Sequence, residues 1–458
     1  MSKPLFDEFD AVSAKQWKQK IQFDLKGDDY NETLIWKSNE DIAVKPFYHS
    51  DDFKELPETT NTQATAWNIC QSIYVADVKK SNKKALKSIE KGVESFLFIV
   101  PSKDISIKDL LQDIDLDTFP VYFELQFLSS EFVEKLYVIP AKAGIHISND
   151  IIGNLTKTGN WFTNLNDDFN TYETIVKTTN ACSVNTSLYQ NAGANMVQQL
   201  AYALAHANEY LDKIDDLEFT NDKKQSLNVT FKISVGTNYF FEIAKLRALS
   251  LLYKTIASKY GVNTYCNIMA TPTKRNKTLY DHNTNMLRTT TECMSAIIGG
   301  ANTICNIPFD AIYHKTNAFS ERLARNQLLI LKHESSFEKV SNPADGSYYI
   351  ETLTNQLAEK ALELFKDIEA NGGFLKQLKA GTIQRKIKES AEKEQKQFDA
   401  GENILVGSNK HSNPNDSMKN ELELYPFVKT NQRKTLIEPI IERRLSETLE
   451  KKRLKNED

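Results

Sequence analysis

The sequence lacks a charge excess, a cysteine framework and any long apolar run. Its 57 basic side chains against 61 acidic ones leave a formal net charge of −4 over 458 residues. So balanced a chain has no basic field to draw a phosphate backbone, so nucleic-acid binding is not expected. The five cysteines, Cys70, Cys182, Cys266, Cys293 and Cys305, are scattered, odd in number and without a C-x-x-C pair. That excludes a disulfide scaffold and a zinc ribbon and points to reduced thiols. No stretch approaches the ~18 apolar residues that span a bilayer, so no membrane contact is expected. The first ten residues, MSKPLFDEFD, are acidic and lack the apolar core of a signal peptide. Together these features predict a cytoplasmic protein.

Recognisable catalytic spacing is also missing. No two of the seven histidines stand three or four residues apart, so no helix-borne metal pair exists. Neither G-x-G-x-x-G nor G-x-x-x-x-G-K-[ST] occurs, and Gly299-Gly300 and Gly372-Gly373 read as helix stops. No Ser/His/Asp or Cys/His arrangement stands out, and no internal repeat is visible.

What is present is ordinary globular composition, with 40% apolar, 26% charged and 10% aromatic residues. The length suits three domains at roughly 150 residues each, or one large barrel with extensions. Residues 1–85 are polar and turn-rich, as in 57–62. Single aromatics punctuate them: Phe6, Phe9, Trp17, Phe23, Trp36, Phe47, Tyr48 and Trp67. Such spacing suits an arm laid over another surface, or equally a segment packed on its own domain.

From about residue 95 short continuous apolar runs appear at 96–100, 121–125, 144–147, 182–186, 229–235, 263–268 and 303–307. Each reads as a strand buried on both faces. Helical patterns lie between them, for example Val197, Leu200, Ala201 and Leu204. Alternating strand and helix means parallel strands with right-handed crossovers. An α/β fold follows, a closed (β/α) barrel with an open doubly wound sheet as the alternative. Seven strands are legible and an eighth is not. The expected organisation is an arm over 1–85, a barrel over 86–340, and a helical segment with a linker over 341–458. Residues 390–420 read as linker, and 441–458 as a solvated helix.

Candidate chemistry at the strand ends is sparse. His146 is the one histidine near a strand end, whereas His206 and His333 fall on helices and read as core or surface groups. Lys274, Arg275 and Lys277 follow the sixth run, as a phosphate-binding loop or as a solvated one. Asn306 and Asp310 follow the seventh, where turn hydrogen bonding is their ordinary role.

A set of ordered segments carries more. They are EDIAVKPFY at 40–48, TGNW at 158–161, QNAGA at 190–194 and AYALA at 201–205. NYFFEIAKLRA at 238–248, LRTTTE at 287–292, FSERLARN at 319–326 and NPADGSYYIE at 342–351 complete it. In order and spacing they resemble the methylmalonyl-CoA mutase family, the adenosylcobalamin-dependent acyl-CoA mutases. The resemblance implies a TIM-type (β/α) barrel with an N-terminal arm and a helical C-terminal extension.

Departures from the family pattern matter as much. Where the family reads S-G-Y-H-M-Q-E-A-G-A, the matching stretch places Leu188 at the histidine. Where it reads R-T-H-S-Q, Asn267 and Met269 stand at the arginine and histidine; where it reads H-T-N, Cys305 stands at the histidine. Leucine and methionine can neither donate a hydrogen bond to a thioester carbonyl nor exchange a proton with it. The resemblance therefore implies no catalytic residue here, and a barrel interior filled by apolar groups. The family's cobalt-binding Asp-x-His-x-x-Gly is absent, and the chain stops where that module is expected to begin. No cofactor or metal is assigned to this chain, and adenosylcobalamin is expected in a partner.

The implied role is the small, non-catalytic subunit of a heterodimeric mutase. Its large catalytic subunit would interconvert (R)-methylmalonyl-CoA and succinyl-CoA. Two rivals remain: an active substrate-binding subunit whose cobalamin domain is a separate chain, and a non-enzymatic acyl-CoA-binding scaffold.

Overall fold

The computed structural model describes residues 8–55, 65–429 and 433–457. Phe6 and the 57–62 stretch lie outside the described residues.

Eight parallel strands form the centre: β1 (Asn68–Tyr74), β2 (Ser95–Val100), β3 (Val121–Leu125), β4 (Ile145–Ser148), β5 (Ala181–Asn185), β6 (Asn228–Val235), β7 (Cys266–Pro272) and β8 (Thr303–Ile304). Their order is β4-β3-β2-β1-β8-β7-β6-β5, with every neighbouring pair parallel. Pairing of β1 with β8 brings the first and last strands together. β4 and β5 close the circle side by side, across a seam with no ladder among the described residues. Helices separate successive strands, as expected for a TIM-type barrel. Among the described residues no helix is long and apolar enough to cross a membrane.

Strand alternation divides the side chains. In β2, Phe96, Phe98 and Val100 face the helix ring and pack with Ala85, Leu110 and Leu136. Leu97 faces the axis beside Cys70, Tyr122, Met269 and Cys305. Helices Met196–Asp215 and Tyr239–Tyr260 contribute long apolar faces to the largest core.

The segments that carry the family resemblance turn out to hold this scaffold together. Arg247, on helix Tyr239–Tyr260, pairs with Asp345 and with Glu351 of helix Tyr348–Ala370, the latter at 2.6 Å. Lys277 pairs with Glu292 of helix Thr284–Ile298 at 2.8 Å, and Glu242 pairs with Lys245 at 2.6 Å. Gly159 in TGNW has φ +80°, and a Cβ there would sit 2.7 Å from the Ile437 carbonyl oxygen. Glycine is required there by both the backbone and the neighbour.

Three expectations are corrected. The eighth strand is β1, which lies inside the stretch assigned to the arm. The barrel therefore starts near residue 68, and helix Val78–Ile89 is its first crossover. Gln71 and Ser72 interrupt the apolar pattern of β1, which hid it. Residues 390–399 are not linker but the end of helix Thr382–Asp399, whose polar face is solvated while Ile383, Ile387 and Phe398 are buried. The last helix, Glu447–Lys455, is not wholly solvated, because Glu447 and Glu450 are buried against Lys451 and Arg444.

The arm aromatics divide by position. Phe9, Trp17, Phe23 and Trp36 are exposed, and helix Ala14–Asp24 buries no residue. Tyr48 and Phe53 instead pack against Tyr349 and Tyr348 of this chain with tilted rings.

Leaving one side of a buried ion pair unmatched costs about 3–5 kcal/mol, whereas an exposed pair is worth about 1 kcal/mol or less. Urea unfolding of Arg247→Ala is expected to show the large loss, and Lys20→Ala, which breaks the exposed pair with Asp24, the small one.

Candidate functional site

The C-terminal ends of the barrel strands surround a cavity of about 390 Å³, on the face where barrels of this type carry their sites. Its walls include Glu124 from β3, Asp150 after β4, Asn185 at the end of β5, Lys232 from β6 and Lys274 after β7. Past β5 the chain turns at Thr186 into the short helix Ser187–Asn191. That turn sets Leu188 in the cavity wall, 7% exposed and joined to the main core.

Within this lining Glu124 and Lys232, 108 residues apart, form an ion pair across the barrel mouth. Lys232 beside it holds the Glu124 carboxyl below its usual range. Burial works against the Lys232 ammonium, but Glu124 outweighs it and the lysine pKa is raised. Both directions describe a charged pair. Nearby, Asn267 donates to Thr230 Oγ1 at 3.0 Å, and the Tyr122 and Thr303 hydroxyls meet at 3.1 Å.

Met269 and Cys305 are each 3% exposed inside the barrel, packed with Cys70, Leu97 and Tyr122. Burial pushes the Cys70 thiol up, so it stays protonated and is a poor nucleophile. The expected apolar filling is therefore half the picture. One wall of the axis is packed with sulfur and hydrocarbon groups. The rest is polar and in part paired, as at Asn267 with Thr230, while the Ser183 and Thr271 hydroxyls are buried without a hydrogen-bond partner.

A second network holds the rim. Asp150 caps helix Ile151–Thr158 through the Gly153 amide at 2.6 Å and accepts from the Asn185 amide at 2.7 Å. His206 Nε2 lies 2.9 Å from Asp150 Oδ1, Tyr210 donates to the same oxygen at 2.6 Å, and Tyr189 lies 3.0 Å from His206 Nδ1. Burial works against the Asp150 anion, but His206, Tyr210 and the Asn185 amide hold its carboxyl below the usual range. His206 is thus a satisfied core histidine, as read from its helix pattern.

The other sequence candidates separate cleanly. His146 stacks on Tyr122 at 4.7 Å inside the barrel and does not line the mouth cavity. The loop after β7 is neither a phosphate cradle nor solvated throughout. Arg275 pairs with Glu394 at 2.6 Å and Lys277 with Glu292, which leaves Lys274 facing the cavity. Asn306 donates to the Ala324 carbonyl, and Asp310 accepts from Asn317, both as turn and helix-end partners. The Glu124–Lys232 pair was missed from sequence, although each residue interrupts an apolar strand run, a usable signal of a buried partner. Among the described residues no group of three or more His, Cys, Asp or Glu is placed to hold a metal ion.

The pair is part-buried, so stripping one partner is expected to cost between the ~1 kcal/mol of an exposed pair and the ~3–5 kcal/mol of a fully buried one, whereas an apolar replacement of the whole pair is near neutral. Glu124→Gln is expected to show the loss in urea unfolding and Glu124→Leu with Lys232→Met to recover it. The depressed carboxyls of Glu124 and Asp150 contribute stability that is present above their unfolded values, near 4. That stability is lost as pH falls through their lower folded values. Acid unfolding should therefore be shallower in the double variant.

Sequence comparisons bear on this geometry. A family model described as methylmalonyl-CoA mutase matches residues 100–455. The methylmalonyl-CoA mutase small subunit of Porphyromonas gingivalis is 35% identical over 444 residues, covering 89% of this chain and 71% of that one. The methylmalonyl-CoA mutase of Rhizobium meliloti is 28% identical over 464 residues, covering 88% and 64%. The small subunit of Streptomyces virginiae is 27% identical over 425 residues, covering 83% and 67%. The chain spans between 64% and 71% of the length of these three relatives. With the family match running from the end of β2 to the last helix, and more than a third of positions shared with one relative, the chain belongs to the methylmalonyl-CoA mutase family.

Proposed function

We propose that this chain is the small, non-catalytic subunit of a heterodimeric methylmalonyl-CoA mutase. It supports a large catalytic subunit that interconverts (R)-methylmalonyl-CoA and succinyl-CoA by a cobalamin-dependent radical rearrangement. The observation that carries this reading is Leu188. The residue that lines the mouth where the resemblance expects a histidine is an aliphatic side chain packed into the core. It offers no proton and no hydrogen bond to a thioester. Met269 and Cys305 are sealed inside the barrel, and Asn267 is committed to Thr230. The 35% identity to a protein named as a small subunit agrees.

The residues here do not fit a cobalamin. The sequence has no Asp-x-His-x-x-Gly, and His411, its one histidine beyond His333, is exposed in a turn-rich segment. The proposed role places adenosylcobalamin in the large subunit, where it would supply the radical. The exposed aromatics Phe9, Trp17, Phe23 and Trp36 are the surface we assign to contact with that subunit. A cytoplasmic location agrees with the buried, free cysteines.

The mouth cavity favours one second reading, a non-enzymatic acyl-CoA-binding scaffold, because Lys157 and Lys274 line it. Calorimetric titration with coenzyme A separates the two: no heat is expected of the small subunit, and micromolar binding of the scaffold. The partner reading is tested by co-expression with a full-length large subunit and size-exclusion chromatography. Co-elution is expected, and Trp17→Ala with Phe23→Ala is expected to weaken it at least tenfold. Recovery of this chain as a monomer in the presence of the large subunit contradicts the reading.

A further inference from the structure

Of the five free cysteines, two meet inside the barrel. Cys70 stands in β1 and Cys305 one residue past β8, so they come from opposite ends of the barrel sequence. The parallel register sets Thr303 beside Asn68 and Ile304 beside Ile69, which brings Cys305 alongside Cys70. Both side chains face the axis and pack in one group with Leu97, Tyr122 and Met269. Neighbouring strands run about 4.8 Å apart, inside the range of about 4.4–6.8 Å between Cα atoms that a disulfide bridges. The sheet therefore already holds the two backbones at bridging distance.

The two thiols are not alike. Burial pushes Cys70 up, and its S–H is directed at the Cys305 sulfur. That hydrogen bond, joined by the Lys232 ammonium and the Ser72 amide, holds the Cys305 thiol below its usual value against burial and Glu124. One member is thus a thiolate nucleophile, and the other a protonated neighbour placed to resolve it. Burial pushes the remaining three thiols, Cys182, Cys266 and Cys293, up.

The pair lies close to the barrel mouth. Lys232 lines the cavity there, and so does Thr271, the β7 residue that the register sets alongside Cys305. The interior that excludes a thioester need admit only a molecule of two oxygen atoms to bring an oxidant to Cys305.

We propose that Cys305 and Cys70 form a peroxide-reactive dithiol, and that its oxidation to a disulfide staples the first strand of the barrel to the last. The Cys305 thiolate attacks one oxygen of hydrogen peroxide. The O–O bond breaks, leaving a sulfenic acid on Cys305 and releasing hydroxide. The Cys70 sulfur then attacks the Cys305 sulfur, and the S–O bond breaks as the Cys70 proton leaves with that oxygen as water. The two thiols give up two electrons, and one peroxide is reduced to two waters. The bridge closes a loop from β1 to β8 and stabilises by constraining the unfolded chain. This inference concerns the barrel of the isolated chain and holds whether or not it pairs with a larger subunit.

The test treats the reduced, folded full-length chain with hydrogen peroxide and maps its thiols by alkylation and mass spectrometry. Loss of two of the five thiols is expected, with a peptide pair linking Cys70 to Cys305, at least tenfold faster than oxidation of any other cysteine. Dithiothreitol is expected to restore all five. Urea unfolding of the oxidised chain should move to higher urea and return on reduction. Cys70→Ser, which removes the resolving thiol, is expected to leave Cys305 as a sulfenic acid that a 1,3-diketone probe labels. Cys305→Ser is expected to abolish both label and bridge. The mapping of the unaltered chain decides the matter if neither variant folds. A folded chain that keeps all five thiols, oxidises elsewhere first, or forms the bridge only once unfolded in urea overturns the proposal.

Discussion

The ion pair between Glu124 and Lys232 joins β3 to β6 across the mouth of the barrel, and both partners line the cavity there. Each partner keeps the other charged, Lys232 lowering the carboxyl's pKa and Glu124 raising the lysine's. The pair thereby ties together two strands that are not neighbours in the barrel order. The remaining interior volume is divided between polar pairs, such as Asn267 with Thr230, and the apolar group around Met269 and Cys305. A barrel packed this way is a solid core, as these folds require for stability.

The same logic runs outward. Arg247 with Asp345 and Glu351, and Lys277 with Glu292, fix helices of the ring to one another and to the β7 loop. All of these but Lys277 lie in the segments that resemble the mutase family. What this chain shares with its relatives is the framework. What it departs in are the positions at Leu188, Met269, Cys305 and Asn267, where the family's chemistry would be expected. That pattern, as the resemblance implies it, agrees with the proposed role of a structural partner in an enzyme complex.

Much of the fold was legible because parallel strands buried on both faces leave continuous apolar runs, such as Phe96 to Val100. β1 was not, because Gln71 and Ser72 break its run and its burial comes from closure against β8. Helix Thr382–Asp399 was misread because a helix docked by Ile383, Ile387 and Phe398 alone is polar on its other faces. In the site, Leu188 could be placed only by resemblance, since a leucine carries no chemical signal of its own. The Glu124–Lys232 pair escaped because its partners stand 108 residues apart. Asn191 escaped for a related reason: its partners Thr273 and Lys274, after β7, and Glu442 converge on it only in the folded chain.

The central claim is that this barrel supports catalysis without performing it. Its most direct test is the isomerisation rate of the assembled two-subunit enzyme carrying Glu124→Leu and Lys232→Met in this chain. A barrel that handles no substrate predicts an unchanged rate at equal complex concentration. A fall of tenfold or more, with the complex intact and its melting temperature unchanged, would contradict the account.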